Sequence, residues 1–233
     1  MTEVFTRELQ RRTAQSGAMP LITYYDEARG ERIELSGTSF ANWVDKTAGL
    51  LTDGILVEPG DRVRLTLATS DPAHWVTLVW VAASWRARCV VTLDPNDEAA
   101  VEVIGPQTLP TGDPETVACS LHPFGLGFST PPPAGSLDYG VEVRTFPDSF
   151  RGPYPAPDDP AWVDDGQRLS QAEVVAGSGD GDRRLVTPGA PWQVVRTALV
   201  EPVIGGGSAV VVVGATRDRL AEIADAERAR RPD

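Results

Sequence analysis

Apolar positions along the chain fall into two regular blocks. In the first, Phe40, Trp43, Val44, Thr47, Ala48 and Leu51 recur at three- and four-residue steps, the signature of one helix face. Gly54 follows where a left-handed cap would close that helix. From Gly60-Asp61 the period changes to two: Val63, Leu65 and Leu67 alternate with Arg62, Arg64 and Thr66, which predicts a strand. Asp71-Pro72 is a helix start, since proline is tolerated in a first turn. Residues 73–87 are apolar nearly all round, so this helix is expected to be buried on every side. Residues 89–93 form a continuous apolar run of the kind found inside parallel sheets, and Asp94-Pro95 ends it. The N-terminal MTEVFTRELQRR reads as a short amphipathic helix; with no apolar stretch after its charges it is not a secretory leader.

The second block runs from about Ala161 to the end. A short helix is expected at 171–176 after Leu169-Ser170, and a strand at 184–186. Thr187-Pro188-Gly189 turns the chain into a helix over 191–203, Gly205-Gly206-Gly207 makes a turn, and 209–213 is a buried strand. Thr216 then caps a helix over 217–230. The blocks look like copies. Leu35-Ser36 matches Leu169-Ser170, Gly60-Asp61-Arg62 matches Gly181-Asp182-Arg183, and Asp61 to Val91 is the same distance along the chain as Asp182 to Val212. Trp75 and Trp192 lie in corresponding helices. The pattern predicts an α/β fold of two pseudo-repeated β-α-β subdomains with mostly parallel sheets. The first block covers 1–104 and the second 161–233. Between them, 105–160 is a Pro/Gly-rich connecting segment, with short strands expected at 101–104, 116–121 and 139–144 around Pro131-Pro132-Pro133. All three pieces are expected to form one compact unit.

Charge narrows the function classes. The chain of 233 residues carries a net charge of −12, from 33 acidic and 21 basic side chains. This argues against a nucleic-acid partner, which needs a basic face. No apolar run is long enough to cross a bilayer, so no membrane partner is expected. Cys89 and Cys119 do not make a disulfide framework, and a buried free thiol in a reducing cytoplasm is the simplest reading. Lys46 is the only lysine.

Residues 20–95 carry a recognisable order of motifs: Leu35-Ser36, Gly54-Ile55, Pro59-Gly60-Asp61-Arg62-Val63, an apolar helix, then Leu93-Asp94-Pro95. This order resembles the opening of adenylate-forming enzymes, the family of acyl-CoA synthetases, peptide-synthetase adenylation domains and luciferases. Asp158-Asp159-Pro160-Ala161 is similar to the family's lead into its phosphate loop. In the family, a Ser/Thr/Gly-rich loop ending in Pro-Lys-Gly follows and wraps the ATP phosphates with N–H groups, hydroxyls and a lysine. Here 162–170 reads Trp-Val-Asp-Asp-Gly-Gln-Arg-Leu-Ser, with Asp164 and Asp165 where phosphate charge would lie. No Y-G-x-T-E stretch occurs, and Lys46, inside a predicted helix, cannot serve as the family's loop lysine or catalytic lysine. The resemblance therefore implies the fold of the large N-terminal part of these enzymes, closest to short bacterial relatives, without the residues of adenylation.

The remaining candidates are binding sites. Gly205, Gly206 and Gly207 with Ser208 could cradle an anion, but they precede a strand and no lysine follows, so a tight turn is the plainer reading. Gly214 and Thr216 lie between a strand's C-terminal end and a helix, where open α/β sheets bind ligands; ordinary capping by Thr216 competes with that role. Thr187 and Gly189 occupy the matching position one strand earlier, and Thr69-Ser70-Asp71 does so in the first block. A zinc site from His74, Cys89, Cys119 and His122 would need ligands from separate buried elements, and Gly177-Ser178-Gly179 lacks the strand of a nucleophile elbow. No metal, cofactor or catalytic residue is therefore assigned. The expectation is a non-catalytic protein that binds a small molecule or nucleotide, or else a protein partner or second copy of itself. The alternatives are a residual acyl or nucleotidyl transfer completed by a partner chain, and a purely structural interaction protein.

Overall fold

A computed structural model describes residues 3–112 and 114–231. Met1 and Thr2 of the expected N-terminal helix lie outside the described residues, as do Asp113, Pro232 and Asp233. The chain begins with α1 (Phe5–Ser16), the strands β1 (Pro20–Asp26) and β2 (Glu31–Ser36), and α2 (Gly37–Gly49), which continues as a π-helical turn (Leu50–Gly54). Next come β3 (Arg62–Arg64), α3 (Leu67–Ser70), α4 (Trp75–Arg86), β4 (Val90–Thr92), β5 (Val101–Ile104), β6 (Glu115–Ala118) and β7 (Ser136–Asp138). After α5 (Tyr139–Glu142), a 3-10 turn (Val143–Thr145) leads to β8 (Pro160–Asp164), β9 (Gln167–Ser170), α6 (Gln171–Val174) and β10 (Arg183–Val186). Helix α7 (Pro191–Val195), a π turn (Arg196–Val200) and α8 (Glu201–Gly205) run on from one another into β11 (Ser208–Val213), and α9 (Arg217–Ala226) follows.

Two sheets result, both mostly parallel as expected. One has the order β10-β11-β1-β2, with only β2 antiparallel. The other has the order β7-β6-β5-β3-β4-β8-β9, with only β9 antiparallel. Each β-α-β unit sits in its own sheet, and each hairpin sits in the other unit's sheet: β1 pairs with β11, and β8 pairs with β4. Sheet membership therefore crosses the sequence blocks 1–104 and 161–233. The matching spacing from Asp61 to Val91 and from Asp182 to Val212 is not a matching register. Arg62 aligns with Val90, but Arg183 aligns with Ser208, so the second crossover is shorter.

The core follows from helix α4, every residue of which is buried. It contacts α1, α2 and β4, and its three tryptophans reach Phe5, Trp43, Tyr139 and Trp192. In β11, Ala209 and Val211 face this main core, while Val210 and Val212 face α9 with Leu185, Ile223 and Ala224. Polar side chains of the seven-stranded sheet bond to the segments that follow β4 and β5. Arg64 donates to the carbonyl of Asp97 and Thr92 donates to its carboxylate; Thr66 and Thr111 both donate to the buried carboxylate of Glu102.

Several expected elements change form. The segment 139–144 is helical, because the Asp138 carboxylate accepts from Gly140 N–H and starts a turn there. The strand begun at Arg62 ends at Arg64, and α3 takes up Leu67. The helix expected over 191–203 contains a π turn just before Pro202, which has no N–H to give and whose ring would crowd a regular turn. Gly54 is not a left-handed cap; Leu56 is the residue at φ 67. Gly54 is needed for space instead, because a Cβ there would come within 2.9 Å of the Phe146 ring. Gly205 and Gly207 lie against the backbone of 180–182, while Gly206, at φ 82, is the left-handed cap of α8. A Cβ on Gly207 would sit 2.3 Å from the carbonyl oxygen of Asp182 and 2.4 Å from that of Asp180.

Helix α4 is capped by His74, whose Nδ1 accepts from Val76 N–H. Burial, reinforced by the positive charge of Arg29, pushes the imidazole pKa down to about 3 from 6.5. The unfolded chain therefore takes up a proton that the folded chain refuses. The stability tied to His74 is complete above pH 6.5 and is lost as pH falls towards 3. In urea unfolding, His74→Asn keeps an acceptor for Val76 and should show a shallower loss of stability over that range; equal acid slopes would contradict this role. Gly207→Ala should lower stability by about 1–3 kcal/mol, as overpacking against fixed backbone does. Unchanged urea midpoints would mean that the close approach relaxes freely.

Candidate functional site

Strand β10 is an edge of its sheet, and the chain beyond α9 returns to it. Arg230 forms a bridge with Arg184: its N–H donates to the carbonyl of Arg183, and its carbonyl accepts from Leu185 N–H. Between this return, β10 and the helix α7–α8 lies a cleft of about 290 Å³. Its polar lining consists of Arg184, Thr187, Gln193, Thr197, Arg230 and Arg231, with the backbone of Pro188 and Gly189 at the strand's C-terminal end. No carboxylate occurs among the described lining residues.

The balancing carboxylates are not among the described lining residues. Asp180 pairs with Arg184 at 2.6 Å and with Arg230 at 3.0 Å, Glu201 pairs with Arg184 at 2.8 Å, and Asp225 pairs with Arg231 at 3.0 Å. These pairs fix where the guanidinium groups lie, and the polar groups that line the cleft, beside Leu185, Val186 and Val194, are guanidiniums, hydroxyls and an amide. Such a surface favours an anion over a cation.

The sequence candidates separate. Thr187 and Gly189 meet in the cleft. Gly205, Gly206 and Gly207 lie at the opposite end of β11, where the approach to 179–182 occupies Gly205 and Gly207 while Gly206, at φ 82, is the left-handed cap of α8. Gly214, at φ 71, is 3.4 Å from Ala28 by its would-be Cβ, and Thr216 accepts from Arg219 N–H as the cap of α9. Arg219 also pairs with Glu27 at 2.7 Å, at the C-terminal ends of the adjacent strands β11 and β1. Thr69, Ser70 and Asp71 are in and after α3. Arg184, Gln193, Thr197, Arg230 and Arg231 were missed. Arg230 read only as the end of a helix, because its pairing with β10 is a long-range contact with no local signal.

Residues 162–170 form the hairpin β8–β9. Asp164 accepts from the N–H groups of Gly166 and Gln167, each at 2.9 Å, and from Trp162 Nε1 at 2.8 Å. The turn's N–H groups, which in a phosphate loop would face phosphate, are thus taken by the chain's own carboxylate. Asp159 accepts from Arg88 and from Ala156 N–H, and the Arg88 bond holds its pKa below the usual carboxylate range. Cys89 and Cys119 are buried free thiols, and burial pushes both up. His122 Nδ1 accepts from Phe124 N–H at the start of a loop. Among the described residues no group of three or more His, Cys, Asp or Glu side chains is placed to hold a metal, and no helix is long and apolar enough to cross a membrane.

No protein-family model matches the chain. A Mycobacterium tuberculosis protein described as a TIGR03089 family protein is 37% identical over 140 residues, which is 56% of this chain and 55% of that protein. The match thus spans about half the length of this relative. Among solved structures, a Brucella canis acyl-CoA synthetase superposes with a TM-score of 0.70 at 13% identity, over 97% of this chain and 46% of that one. The anthranilate CoA ligase AuaEII, solved with anthranoyl-AMP, gives 0.72 at 13% identity over 97% and 48%. The N-terminal domain of FACL13 from Mycobacterium tuberculosis gives 0.67 at 13% identity over 97% and 61%. The chain has the fold of the N-terminal part of acyl-CoA synthetases and their adenylate-forming relatives.

Proposed function

We propose that the protein is a binding module on the adenylate-forming fold, without adenylation activity, which takes a small phosphate- or carboxylate-bearing molecule in the cleft beside β10. The observation that carries this reading is the lining of three arginines, two threonines and a glutamine with no carboxylate among its described residues. The cleft follows a parallel strand's C-terminal end, the usual place for ligands in open α/β sheets. The non-catalytic part rests on the hairpin at 162–170: with Asp164 on the turn's N–H groups and no lysine nearby, a nucleotide triphosphate there would meet charge repulsion and satisfied donors. AuaEII was solved with anthranoyl-AMP, so adenylates are the natural first ligands to test. Two buried free thiols accord with a reducing, cytoplasmic setting.

A second reading, association with a partner or a second copy, is favoured by Phe124, Leu126 and Val141, which are 68%, 44% and 56% exposed. Light scattering on the eluting chain distinguishes a dimer from a monomer.

Calorimetric titration with ATP, AMP and an acyl-CoA tests the binding reading. Heat with at least one is expected, and Thr187→Val combined with Arg231→Ala should weaken that affinity about tenfold, or roughly 1.4 kcal/mol. No heat with any of the three would sink it. Pyrophosphate exchange with added acyl acids tests the absence of adenylation: none is expected, and turnover by the pure chain would overturn the claim and favour a retained transferase.

A further inference from the structure

Helices α1, α2 and α4 leave an unfilled slot where they meet. On α1, Thr6, Leu9 and Thr13 follow at three- and four-residue steps and so share one face; Ala41 and Val44 do the same on α2, and Ala82 of α4 completes the lining. The slot encloses about 360 Å³, a volume within the range of small-molecule sites. It exists because Ala14, Ala41 and Ala82 bring only methyl groups to the place where larger side chains would fill the space.

The charged residues of the described lining are Asp45 and Arg86, and both are engaged. Arg86 pairs with Asp45 at 3.8 Å and donates to the carbonyls of Phe150 at 2.9 Å and of Gly152 and Pro153 at 3.2 Å. Asp45 also accepts from the Phe150 N–H. An ionic ligand would therefore shed its water without meeting a free counter-charge, which is costly in either sign.

The neutral polar groups are engaged unequally. Gln10 donates to the Tyr154 hydroxyl, and Thr13 donates to the Leu9 carbonyl. Asn42 has no hydrogen-bond partner among the described residues. It is half-buried in the middle of α2, where asparagine is a poor helix former. Thr6 is 4% exposed, and its Oγ1 likewise has no partner among the described residues. A free side-chain amide offers both a donor and an acceptor, so its complement is a group that does the same.

We propose that this slot binds a small neutral molecule, an amide on an apolar body, with the amide paired to Asn42 and the body lying against Leu9, Val44 and the three alanines. Two hydrogen bonds to Asn42 fix the head, and the apolar walls take the rest out of water. The slot shares no lining residue with the arginine cleft, and either site can fail without the other.

The test is a set of backbone amide spectra of the full chain, titrated in turn with hexanamide, hexanol, hexanoate and hexylammonium. Hexanamide should shift Leu9, Thr13, Ala41, Asn42 and Ala82 saturably. Hexanol should bind about threefold more weakly, for want of the second hydrogen bond, and neither ion should bind. Asn42→Ala removes both bonds and suits a helix better; it should weaken hexanamide about tenfold and hexanol about threefold, so that the two then bind alike. Ala41→Leu fills the slot and should abolish binding of both, with the circular dichroism of the parent. No saturable shift with hexanamide, shifts centred outside the three helices, either ion binding as tightly as hexanamide, or an Asn42→Ala chain that keeps its preference for the amide would each overturn the proposal.

Discussion

Helix α4 has no polar face, and the rest of the architecture answers that constraint. A helix buried on all sides must be enclosed by other elements, because leaving one side in water would expose its valines, alanines and tryptophans. Helices α1 and α2 and strand β4 contact it directly, and Trp192 of α7 reaches Trp85. The side chains that complete the enclosure are distant in sequence: Phe5 meets Trp85, Trp43 meets Trp75, and Tyr139 meets Trp80. Loss of any one of these would open the same core.

The exchange of hairpins serves the same enclosure. Strand β1 pairs with β11 and strand β8 pairs with β4, so neither β-α-β unit completes its sheet alone. The two sequence blocks are therefore joined by backbone hydrogen bonds within each sheet as well as by the shared apolar core. The hairpin β8–β9 carries a further consequence. Its turn is made tight by Asp164, and the bonds that tighten it use up the N–H groups an anion would need. Geometry and chemistry at this turn change together.

The parallel strands and the buried helix were legible because each is a short run with one dominant pattern: a continuous apolar stretch before Asp94-Pro95, or a helix with no polar side. The hairpin strands were not. In β2 burial fluctuates along Glu31–Ser36 and only Leu35 is fully buried, so the alternation that marks a strand is faint. The helix at Tyr139 depends on one carboxylate, Asp138, placed before residues that would suit a strand equally well. Gly54 was misjudged because its neighbour, Phe146, is remote in sequence. Two residues of the candidate cleft, Thr187 and Gly189, could be read from the position after a strand. The arginines that give it its charge could not, since Arg230 reaches it only through the return of the chain to β10.

The central claim is that an adenylate-forming fold here offers an anion site beside β10 and none at the β8–β9 turn. Backbone amide spectra recorded during titration with AMP test it most directly, because they locate the contact as well as detect it. The account predicts shifts concentrated at Thr187, Gly189, Gln193 and Thr197, with Gly166 and Gln167 unmoved. Shifts centred on Gly166 and Gln167 would contradict it.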